Sequence, residues 1–242
     1  MDKEIIMQSQ ARYFENLWQR ENKKLNSHNV EPAIMENGVT VPVDHCISTL
    51  ARVVDQANGR ETAESIHKHA LDLLGLVTDN QFVYPVESFH ISVVGCTPRR
   101  DDASQFTGRE KKRILKLCEE ATDDKSPVKV SFRGLGIIGN QVFLQGYALD
   151  DGWIKIREAV TNKLEGAGEH PIAYPDKSPI HMNILRIVDV SGNNLDQIAQ
   201  ILDRSRDIDF GVVEFDSIGY VVTDFVLSKQ NFDLISKISL DR

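Results

Sequence analysis

Cysteine is scarce. The 242 residues hold three, Cys46, Cys96 and Cys118. So sparse and odd a set does not staple a secreted fold, and no two of the three stand at the C-x-x-C spacing of a metal or redox site. A reducing intracellular compartment follows, with the cytoplasm as the expected location. Positive charge is also short: 28 Lys and Arg face 36 Asp and Glu, a net charge of −8. A broad grip on long nucleic acid neutralises many phosphates with cations, so that function is excluded. A small anion held at one local site remains open. No apolar run nears the roughly 20 residues that span a bilayer, so no membrane partner is expected. The opening MDKEIIMQSQ is too polar for a signal peptide. Low-complexity stretches and an obvious linker between the halves are both missing.

What is present is a regular alternation of helix and strand patterns, the mark of an α/β or α+β chain. Residues 4–26 place Tyr13, Phe14, Leu17, Trp18 and Leu25 along one helical face, which predicts an N-terminal helix docked on the body. A loop punctuated by Pro32, Gly38 and Pro42 follows. Strands are predicted over 46–55, from Phe89 in FHISVVG, over 128–139 and 141–149 joined around Gly139–Asn140, and over 180–190. Helices are predicted over 60–77, 103–124, 151–168 and 193–207, the last opened by an Asn cap. FGVVEFDSIGYVVTD, FVLSKQ and NFDLISKISL read as closing strands. Gly134, Gly136 and Gly139 do not form a phosphate-loop fingerprint and are explained by tight turns.

Two strands share an unusual pattern. FHISVV and IHMNILRIV each carry a histidine among apolar neighbours, with a small polar side chain two residues on. Side chains alternate along a strand, so His90 and Ser92 share one face, and His181 and Asn183 share another. Two imidazoles facing each other could divide acid–base work near neutral pH. Ser92 and Asn183 could donate hydrogen bonds to a phosphoryl oxygen between them. One histidine would activate water and the other protonate a departing ribose oxygen, in a scheme that needs no metal and no cofactor. Which of them begins as base is left open.

Taken in pairs, these motifs resemble the two-histidine phosphoesterases, whose pattern is His, any residue, then Thr or Ser, twice. The first is His90-Ile91-Ser92 behind FVYPVESFH. The second is His181-Met182-Asn183 behind Pro179-Ile180. FRGLGIIGNQVFLQGYALD and IGYVVTDFVLSKQNFDLISKISL resemble further segments of that family. The likeness covers roughly residues 44–242. It implies an α+β fold with two lobes of antiparallel sheet and outer helices around a central groove, with residues 1–43 as an N-terminal extension. It also implies a substrate with a 2',3'-cyclic phosphate or a 2'-5' linkage, on a small nucleotide or an RNA 3'-end. Asn183 departs from the pattern, which has a hydroxyl there.

The remaining candidates divide by position. Tyr84, Tyr174 and Lys177 precede the motif strands and are placed at the groove mouth, a ring to stack on a base and an ammonium to meet phosphate. Arg99 and Arg100 adjoin Asp101 and Asp102 and read as a solvated turn. Arg186 falls opposite His181 if its strand is regular. His67 and His69 point different ways from one helix and read as solvated, and His28, His45 and His170 lack partner spacing, so no metal site is assigned. Two rival functions remain: a nucleotide-binding protein with little turnover, and an interaction protein working through its N-terminal helix.

Overall fold

A computed structural model describes residues 3–172 and 179–240. Helix α1 (Lys3–Asn26) buries Ile6, Gln10, Phe14, Leu17, Glu21 and Leu25, a spacing of three or four that gives one continuous inward face. A short hairpin, β1 (Met35–Glu36) and β2 (Val39–Thr40), turns at Asn37 and Gly38, both at positive φ. Then come β3 (His45–Arg52), α2 (Gly59–Leu74), β4 (Phe82–Val83), β5 (His90–Gly95) and α3 (Gly108–Thr122). Helix α3 is opened by the Thr107 hydroxyl, which accepts from the Glu110 amide at 3.2 Å. Strands β6 (Val128–Ile138) and β7 (Gln141–Ala148) form the expected hairpin about Gly139 and Asn140, with Gly139 at φ 56°. The chain ends with α4 (Gly152–Gly166), β8 (Ile180–Arg186), α5 (Asn194–Arg204), β9 (Asp209–Phe215), β10 (Ser217–Asp224) and β11 (Asp233–Ser239).

The strands make two larger antiparallel sheets. One has the order β11-β10-β3-β5 and the other β4-β8-β7-β6-β9. Helices α3 and α4 pack together and touch β11 and β5 of the first sheet, while α2 and α5 touch β9 and β6 of the second. Each sheet thus has its own helices, and the motif strands β5 and β8 lie where the two lobes meet. This is the two-lobed α+β architecture that the resemblance implied. Among the described residues no helix is long and apolar enough to cross a membrane.

Three local expectations fail. The run 210–224 is two strands in different sheets, broken at Asp216, whose amide is held by the Gln56 side chain at 2.9 Å. FVLSKQ is a turn rather than a strand: the buried Asp224 carboxylate accepts from the amides of Val226 and Ser228, the Ser228 hydroxyl and the Asn231 amide, and folds the segment around itself. Asn193 opens α5, but its side chain makes no capping hydrogen bond.

Candidate functional site

The meeting of β5 and β8 follows from strand pairing. β5 is an edge strand, paired in its sheet only with β3. On β8, the short β4 pairs with Leu185 and Arg186, so among the described residues no strand pairs on that side with the half that carries His181 and Asn183. Into the junction reaches Arg157 of α4, which is 3% exposed. Its guanidinium donates to the Ser92 carbonyl at 2.6 Å and to the Pro179 carbonyl at 2.8 Å, tying the first motif to the approach of the second. Beyond the junction the Ile172 amide donates to the Gly95 carbonyl at 2.7 Å.

A cavity of about 250 Å³ is lined by His90, Ser92, His181 and Asn183 together. His90 donates from Nδ1 to the Ser88 carbonyl at 2.7 Å, because a carbonyl can only accept. In the neutral ring, Nε2 therefore carries the lone pair. Burial holds the His90 pKa below the imidazole range; the Ser88 carbonyl works against that shift, and Arg52 adds to it. His181 is pushed down to about 4, first by burial, then by the charges of Arg157 and His90. That His90 weighs on His181 agrees with their common cavity. The Phe143 ring lies 5.4 Å from the His181 ring. Asn183 donates from Nδ2 to Gln141 Oε1 at 2.9 Å, which leaves a second amide proton for a ligand. Its Oδ1 is buried and has no hydrogen-bond partner among the described residues.

Several side chains stand elsewhere than expected. Tyr84 is 1% exposed, and its hydroxyl accepts from Arg186 at 2.8 and 3.1 Å, so it cannot stack on a base at the groove mouth. Arg186 is not opposite His181. In register, Asn183 faces Phe143 but Leu185 faces Val142, so Ile184 is an extra residue on β8. That bulge turns Arg186 onto the face of its partner Gln141, which lines the cavity. Arg99 is no free solvated turn: it lines the cavity, stacks on Phe225 at 4.5 Å and lies 3.7 Å from Asp44. Arg100 is structural, paired with Glu110 and stacked on Phe106. His67 is half-buried against Phe89, with ring centroids 5.4 Å apart. Tyr174 and Lys177 lie outside the described residues.

Sequence reasoning missed Arg157 and set Arg99 aside as part of a solvated turn. Arg157 did leave a signal, since it interrupts the apolar face Trp153, Ile156, Val160 and Leu164 of its helix. Arg99 was set aside because Asp101 and Asp102 adjoin it, and its cavity position depends on Phe225 from a distant segment.

With two histidine strands converging on one cavity between two lobes, the fold is that of the LigT-like phosphoesterases. LigT of E. coli bound to 3'-AMP matches with a TM-score of 0.58 and 10% identity, over 82% of this chain and 99% of that one. A structure described as a phosphoesterase matches with a TM-score of 0.57 and 9% identity, over 82% of this chain and 99% of that one. TT0787 of Thermus thermophilus matches at 0.55 and 12% identity, over 81% and 97%. No family model matches the sequence, and no curated protein matches it.

Proposed function

We propose that the chain is a metal-independent phosphodiesterase of the two-histidine type. Its substrate is a nucleotide or an RNA-terminal phosphodiester, either a 2',3'-cyclic phosphate or a 2'-5' linkage. The observation that carries this reading is the shared cavity of His90, Ser92, His181 and Asn183. Small nucleotides as ligands are supported by the fold neighbour LigT, whose structures hold 3'-AMP, ATP and NADP+. Residues 44–242 form the catalytic body in this reading, and a cytoplasmic location fits such a substrate.

The two environments suggest separate roles. Beside the Arg157 charge, His181 resists protonation and starts as base. His90 is given the acid role on geometry, because the Ser88 carbonyl accepts from its Nδ1 and favours the cation. Water attacks phosphorus and gives its proton to His181. The bond from phosphorus to the leaving ribose oxygen breaks, and His90 protonates that oxygen, leaving a phosphomonoester and a free hydroxyl. Ser92, Asn183 and Arg99 meet the phosphoryl oxygens as charge moves onto them.

The test is a screen of the purified protein without added metal, against cyclic-phosphate ends, 2'-5' oligonucleotides and cyclic dinucleotides. His90→Ala and His181→Ala should each lower kcat by about 10²–10⁴-fold, the usual size of an acid–base contribution, with EDTA without effect. Full activity in either variant overturns the proposal. The rival of a binding protein with little turnover draws on Asn183, whose amide is shared with Gln141 where a hydroxyl is expected. Measurable nucleotide affinity without turnover in the native protein would favour it.

A further inference from the structure

Helix α1 lies on the face of the second sheet that carries the histidine. The register sets this out: His181 is opposite Gln145, Asn183 opposite Phe143, and Arg186 opposite Gln141, so these six side chains share one face. Tyr147, two residues on from Gln145, belongs to the same face. The helix runs along it against the direction of β7. Gln10 Oε1 accepts from the Ala148 amide at 3.1 Å. Phe14 sits on Tyr147 and Phe143, at 5.5 and 6.0 Å between ring centroids. Leu17 joins the cluster that includes Ile138, and the buried Glu21 carboxylate accepts from the Gly139 amide at 3.1 Å. Ile138 also lines the cavity, and Phe143 touches the His181 ring. The helix therefore fills the stretch of the groove floor that continues from His181 along β7.

We propose that α1 is the end wall of the substrate groove, turning a channel open at both ends into a pocket that admits a mononucleotide or a chain end but not the interior of a strand. The proposal rests on the phosphodiesterase reading and deepens it by naming the element that restricts the groove to ends. Ring packing gives the wall its position: Phe14 presses on Phe143, and Phe143 backs the imidazole. A continuous strand crossing the histidines would have to displace Phe14 and Leu17, which are 4% and 6% exposed. A strand that ends at the site would not.

The experiment compares a linear oligonucleotide with the same sequence closed into a circle, each displacing a fluorescent nucleoside monophosphate from the full-length protein. The linear form should compete better by about tenfold or more in affinity, since a circle has no end to enter a closed pocket. Equal competition overturns the wall. Phe14→Ala, checked by its melting curve, should bring the ratio of the two affinities towards one, because the freed volume lets a strand pass. A merely weakened fold would lower both affinities together, and an unchanged ratio in a folded variant also overturns the proposal. If the native protein binds neither the monophosphate nor the linear strand, the nucleotide reading itself has failed, a result distinct from equal binding of line and circle.

Discussion

At the scale of single residues, the site turns on how Arg157 is used. One guanidinium spans two backbone carbonyls from two lobes and sits close enough to His181 to hold its proton off. The geometric and electrostatic roles separate on substitution. Arg157→Lys keeps the charge but cannot fork between both carbonyls, so kcat should fall by about 10–100-fold, as reacting groups drift from alignment, with the acid limb of kcat/KM in place. Arg157→Met removes the charge as well. Protonating His181 then becomes easier, its pKa rises, and the acid limb should move to higher pH by about one unit. A pH–rate profile on both variants checks this, and an acid limb fixed in Arg157→Met would remove Arg157 from the titration of His181. That His90 stands beside Ser92 and His181 beside Asn183 was legible in the sequence, because strand alternation fixes which side chains share a face. Arg99 and Tyr84 were not, since their environments are made by Phe225 and Arg186, residues far away along the chain.

At the scale of elements, strand alternation reached as far as the first irregularity. It held from Ile180 to Asn183 and failed at Ile184, where one added residue turned Arg186 to the other face. Nothing in ILRIV announces a bulge. The closing segments show a related limit: apolar content identified strand character, but the sheet change at Asp216 is settled by a distant partner, Gln56, and the turn at Asp224 by hydrogen bonds that its carboxylate accepts from the next few residues. β8 is also held from beneath by a close approach. A Cβ on Gly146 of β7 would lie 2.7 Å from Ile180 Cγ2 and 3.1 Å from the Ile180 carbonyl oxygen. Ile180 directly precedes His181 and is fully buried, so it has little room to yield. Gly146→Ala should therefore cost about 1–3 kcal/mol by overpacking, and should lower kcat more than the loss of folded protein accounts for. Urea denaturation beside kcat per folded molecule measures both. A variant with native kcat would show that β8 tolerates the shift without moving the imidazole.

At the scale of the whole molecule, the paired motifs and the alternation of elements pointed to two lobes with a local anion site, while the placement of α1 was beyond them. An amphipathic helix declares that it has a face to bury but not which surface receives it. The site nevertheless has a consequence for global stability. His90 and His181 both titrate below the imidazole range in the folded chain, His181 at about 4. The unfolded chain takes up protons near pH 6.5 and the folded chain does not, so the unfolded state binds more protons between those values and stability falls as the pH is lowered through that window. For His181 the loss is at most about 3 kcal/mol, reduced by what its partial exposure screens. Most carboxylates titrate below the upper part of this window, so the midpoints of urea unfolding at pH 7 and pH 5 isolate the histidines. The native chain should lose more stability over that interval than His181→Asn, and equal losses would mean that the imidazole is not held neutral by the fold. Anion binding runs the linkage backwards. A phosphodiester between the rings favours their charged forms, so a nucleoside monophosphate should raise the midpoint more at pH 5 than at pH 7. An affinity that instead weakened on acidification would place the anion away from both imidazoles.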